Sequence, residues 1–169
     1  MKKGQIVVYD FIFGFAIFII IISMVSILWF ANNSRVIQEI EQQKKMRVAH
    51  DIANILINSP GYPTTWDFKE ITYCENNNCT FGLAVSHNQL SLNKFNEFKN
   101  FISSTTNGYN ITRKSFKIYD TYDYEIVIRN PNGDIIEQIG LARDGNVSAS
   151  ISRLVFIGES IRRFEIIIH

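Results

Sequence analysis

The sequence has no dominant charge of either sign: 17 Lys and Arg stand against 16 Asp and Glu, a formal net charge of +1 in 169 residues. It also has no run of Lys and Arg dense enough to neutralise a phosphate backbone, which sets nucleic acid aside as a partner. No Gly-rich phosphate loop, HExxH or GxSxG occurs. Histidine is limited to His50, His87 and His169, scattered and without triad partners beside them. The carboxylates of the second half are expected mostly at solvent-facing strand or turn positions, so paired-carboxylate catalysis has little to rest on. The expectation is a chain that is not an enzyme, with no cofactor, no metal and no small-molecule substrate. There is no internal repeat and no low-complexity tract, and the length suits one ordinary domain plus an anchor.

One long apolar run is present. Ile6 to Ala31 carries a single charged residue, Asp10, and as a helix would span roughly 39 Å against a hydrocarbon core of about 30 Å. A secretory signal peptide has a shorter apolar region, typically about 7–15 residues, and is removed. Trp29-Phe30-Ala31-Asn32-Asn33 instead places aromatics at an interface and polar residues beyond it, as a retained membrane helix does.

No proline occurs before Pro60, and good helix formers continue past the apolar run. The helix is therefore expected to run on to about Asn58, roughly 80 Å in all, until "NSPGYP" stops it. Val36, Ile37, Ile40, Ala49, Ile52, Ala53, Leu56 and Ile57 recur at three- and four-residue spacing, which predicts a stripe packed on a folded head. From Trp66 the period shortens, and "EITYC", "CTFGLAV", "YDYEIVIRN", "DIIEQIGL", "SASISRLVFI" and "SIRRFEIIIH" read as strands. Tyr122, Tyr124, Ile126 and Ile128 alternate with Asp123, Glu125, Val127 and Arg129; "NPNGD" and "IGES" are turns. "SLNKFNEFKNFIS" reads as a helix capped by Ser91, and "NITRKSFKI" as either a helical turn or a strand. The fold class expected is α+β: a long N-terminal transmembrane and amphipathic helix packed on a C-terminal antiparallel sheet head.

Cys74 and Cys79 flank "ENNN" between two expected strands. A hairpin disulfide there would contribute about 2 kcal/mol, free thiols are the alternative, and metal ligation ranks last because further ligands are wanting. Sequons begin at Asn32, Asn78, Asn110 and Asn146; Asn32 lies against the membrane and Asn78 adjoins a cysteine, so Asn110 and Asn146 are the better glycosylation candidates.

The opening "KKGQ" directly before an apolar helix resembles the class III signal peptide of archaeal type IV pilin-like proteins. "SPGYPTTW", "FGLAV", "LSLNKFNEF" and the closing "ISRLVFIGESIRRFEIIIH" follow in an order similar to small members of that group with a β-rich head. The resemblance implies a prepilin peptidase cutting between Gly4 and Gln5, other pilin-like subunits as partners, and an adhesive filament at the cell surface. It divides the chain into a leader (1–4), a membrane and assembly helix (5–31), an amphipathic extension (32–60) and an extracellular head (61–169). Many such pilins have Gln-x-Ser-x-Glu at the mature start, whereas Val7, Tyr9 and Asp10 stand here, which points to a minor pilin.

The lysines and arginines after the helix (Arg35, Lys44, Lys45, Arg47) outnumber Lys2 and Lys3 before it and taken alone favour an internal head. The cysteine pair, the sequons and the resemblance favour an external one. Cleavage before Gln5 would create an α-amino group, with a reference pKa of about 7.7–8.0, that could pair with Asp10 of a neighbouring helix. A single-pass extracellular sensor or binding protein is the alternative reading.

Overall fold

A computed structural model describes residues 3–68, 74, 79–104, 107–118, 121–141 and 148–169. It contains a long helix α1 (Lys3–Asn58), a 3-10 turn (Trp66–Phe68), strands β1 (Ala84–Ser86) and β2 (Gln89–Leu90), and helices α2 (Leu92–Ser104) and α3 (Gly108–Ser115). Strands β3 (Tyr124–Arg129), β4 (Ile135–Gly140), β5 (Ala149–Ile157) and β6 (Ser160–Ile168) follow. The chain forms two compact units, Met1–Glu41 and Gln42–His169, and the architecture is α+β.

The first unit is helix throughout its described residues, and its side chains from Tyr9 to Glu41 are all exposed. It includes a stretch long and apolar enough to cross a membrane. Its hydroxyls are partly absorbed by the helix itself: Ser23 donates to the carbonyl of Ile19 at 2.8 Å and Ser34 to that of Phe30 at 3.0 Å. In a medium without water such back-bonding satisfies a polar group that would otherwise be costly.

In the second unit the six strands form one sheet in the order β1-β2-β5-β6-β3-β4. The expected antiparallel sheet is in fact mixed, because β2 pairs with β5 in parallel. Register places Ile151, Ile166, Ile126 and Ile139 in one row across four strands, and such cross-strand β-branched pairs stabilise a sheet. Ala49, Ile52, Ala53, Leu56 and Ile57 of α1 join Phe95, Phe98 and Phe101 of α2 in the same apolar cluster as these isoleucines. Of the predicted stripe, Ala49, Ile52, Ala53, Leu56 and Ile57 are buried, whereas Val36, Ile37 and Ile40 belong to the first unit and are exposed.

Local chemistry sets the boundaries. Ser91 caps α2, its hydroxyl accepting from the Lys94 amide at 3.3 Å, as an N-cap does. "NITRKSFKI", left open by its pattern, supplies most of α3. Gly133 turns the β3–β4 hairpin at φ +100°, a region costly for other residues. Of the expected strand "CTFGLAV" only Ala84 and Val85 belong to β1, while Thr80 forms an isolated bridge with Tyr62 and Gly82 lies against the backbone of Ser59 and Gly61, where a Cβ has no room. "EITYC" lies outside the described residues except Cys74.

Candidate functional site

Gly4 and Gln5 fall in the first turns of α1. Asp10 is exposed two turns in, and among the described residues it forms no ion pair. It is the one carboxylate of a surface whose other members include Phe11, Phe15, Ile20 and Trp29, all more than half exposed. Phe11 and Phe15 stack at 6.3 Å, one turn apart. A continuous apolar surface of this extent is covered by lipid, by other protein, or by both.

Cys74 and Cys79 are buried and joined, with their Cα atoms 5.1 Å apart. Ser115 of α3 donates to the carbonyl of Cys79 at 2.9 Å, which ties the bridge to the helical part of the head. Asn110 is exposed on α3, but the hydroxyl of its sequon partner Thr112 is buried, donating to the Tyr109 carbonyl at 2.8 Å and sharing a hydrogen bond with the Tyr124 hydroxyl. Asn78 and Asn146 lie outside the described residues, and Asn32 is exposed on α1.

Two carboxylates expected to face solvent are buried instead. Asp123 accepts from the Tyr109 hydroxyl at 3.2 Å and lies 3.9 Å from Arg113, whose guanidinium also donates to the Tyr122 carbonyl at 2.8 Å. Glu125 accepts from Gln138 and has His169 Nε2 3.3 Å away. The alternation in β3 predicts one wet face, yet Glu125 and Val127 are as buried as Ile126 and Ile128. β3 has β6 and β4 on either side, and Glu125 gains partners from both neighbouring segments. A period-two pattern cannot separate a polar residue that meets water from one that meets a buried partner. Burial pushes the Tyr109 hydroxyl up to about 12 and raises that of Tyr124 further.

A second buried polar anchor is Lys94, which donates to the carbonyls of Pro60 at 2.6 Å and Thr64 at 2.8 Å. Burial lowers its pKa, with Asp67 opposing. Its ammonium holds the segment that follows α1, where Trp66 Nε1 also donates to the Gly82 carbonyl at 3.0 Å. These contacts fix the head's core and leave its surface features on the outside.

One of those features is a groove of about 860 Å³ between α1 residues Lys44 to Ile55 and the residues Phe116, Lys117, Thr121 and Tyr122. Lys44, Arg47 and Lys117 line it with one carboxylate, Asp51. Comparison with protein-family models, with curated proteins and with solved structures gives no match to this chain.

Proposed function

We propose that the chain is a non-enzymatic pilin-like subunit of the minor type, held in a membrane by α1 and assembling through it into a surface filament or complex with its head outside the cell. The observation that carries this reading is the apolar surface from Tyr9 to Phe30, exposed along its length, in a helix whose sequence opens with "KKGQ" and runs straight on into apolar residues. A helix that merely anchors needs apolar side chains of any kind. A carboxylate at the bilayer centre costs about 2.5–3.5 kcal/mol on insertion scales and less near an interface, so Asp10 calls for a partner that a simple anchor does not supply. The α-amino group created by cutting before Gln5, on a neighbouring staggered helix, is such a partner. The buried disulfide and the sequons support an external head.

The reading is tested by the intact mass of the protein recovered from membranes containing an active prepilin peptidase. A mature chain beginning at Gln5 is expected. A chain still beginning at Met1 would remove the pilin reading and leave a single-pass sensor or binding protein.

A further inference from the structure

Val36, Ile37 and Ile40 form an apolar stripe that nothing in their own unit covers: they are 50%, 57% and 47% exposed. At 3.6 residues per turn, Glu39 and Glu41 border that stripe on its two sides. No cation occurs from Val36 to Gln43. In the second unit the groove has the opposite character. Lys44, Arg47 and Lys117 line it and form no ion pair among the described residues. Its apolar lining is supplied by Val48, Ile55, Phe116 and Tyr122.

We infer that the groove receives the Val36–Glu41 stripe of a second copy of this chain. The stripe brings two carboxylates around three aliphatic side chains; the groove brings three cations and one carboxylate around an apolar floor. A chain cannot lay its own stripe there, because only two residues separate Glu41 from Lys44 in a run that is helical throughout. For two copies in the same membrane orientation, which rests on the subunit reading above, the contact requires a stagger of roughly ten residues, about 15 Å along the helix. The contact is small, and confinement of both copies to one membrane supplies the effective concentration it needs.

The test is made on the full chain in membranes, with two copies carrying different tags and a benzophenone side chain in place of Ile40. Photocrosslinks are expected to join the tags and to map to residues 44–55 or 116–122 of the other copy. Glu39→Lys with Glu41→Lys, or Arg47→Glu with Lys117→Glu, should each lower the crosslink yield about tenfold through like-charge contact. Co-expressing the two double variants restores complementary pairs and should return the yield to near wild type. Crosslinks that map elsewhere, a yield indifferent to both reversals, or no restoration in the mixture would overturn the inference. Filaments are scored separately: the mapped crosslink without filaments keeps this contact and removes the subunit reading, and filaments without the crosslink do the reverse.

Discussion

In the unit Met1–Glu41 every described side chain from Tyr9 onward is exposed, with Phe11 and Trp29 each at 72%, whereas in Gln42–His169 the rings of Phe81 and Phe98 have no exposed surface at all. One helix, α1, contributes to both units. The contrast separates two sources of stability. The head buries an apolar core within one chain, through ring contacts such as Phe81 to Phe101 at 4.9 Å and Trp66 to Phe81 at 5.2 Å. The helical unit buries none of its described apolar side chains from Tyr9 to Ile40 within itself.

The sharpest way to break this comparison is a matched pair of truncations. Phe81→Ala should destabilise the head by about 3–5 kcal/mol, as large-to-small changes of buried aromatics do. Ile20→Ala should change head stability by no more than about 0.5 kcal/mol, as surface substitutions do. Urea unfolding of the full chain in detergent, read from Trp66 in a Trp29→Phe background, gives both numbers. Equal effects would mean that the units are not separate in stability.

A smaller loss is expected at the polar anchor. Lys94→Met keeps most of the side chain's volume but deprives the carbonyls of Pro60 and Thr64 of their donor. About 1–3 kcal/mol should be lost for a buried acceptor left unsatisfied. The same unfolding assay checks it, and an unchanged midpoint would show that water replaces the ammonium without cost.

The smallest effect is in alkali. Burial raises the Tyr109 and Tyr124 hydroxyls above their ordinary value. The unfolded chain therefore releases those protons first, from about pH 10. The stabilising contribution is complete below that pH and is lost as pH rises through the folded values. Lys94, lowered by burial, acts with the opposite sign in the neighbouring range. The head's melting temperature should fall from about pH 10 upward, and Tyr124→Phe should flatten the fall. An equal slope in that variant would assign the alkaline loss to other groups.

How far the sequence discloses this arrangement differs between the two units. Helix α1 is legible because its signals are local: no proline before Pro60, and "NSPGYP" at its end. The hairpins of β3–β4 and β5–β6 are legible for the same reason, from "NPNGD" and "IGES" between alternating runs. The parallel pairing of β2 with β5 is not, since it joins Gln89 to Phe156 and no local pattern encodes so distant a register. Glu125 and Asp123 were hidden because their partners, His169, Gln138, Tyr109 and Arg113, are remote in sequence. Val36, Ile37 and Ile40 follow the same periodicity as Ile52 and Leu56, yet only the latter are buried, because periodicity marks an apolar face without saying what covers it. Of the candidate site, the position of Asp10 is visible in the sequence, while the groove appears only when Lys44 to Ile55 of α1 meet Phe116, Lys117, Thr121 and Tyr122.

We propose that other copies cover the helical unit and that Asp10 serves that contact. The most direct measurement of that claim is the fate of Asp10→Ala, produced beside wild type in cells with the assembly machinery. The variant is expected to be cut before Gln5, to insert in the membrane, and to show a head unfolding curve superimposable on wild type, while failing to enter filaments or to crosslink with neighbouring subunits. Incorporation of Asp10→Ala at the wild-type level would contradict the claim and leave Asp10 as a solvated residue at the membrane interface.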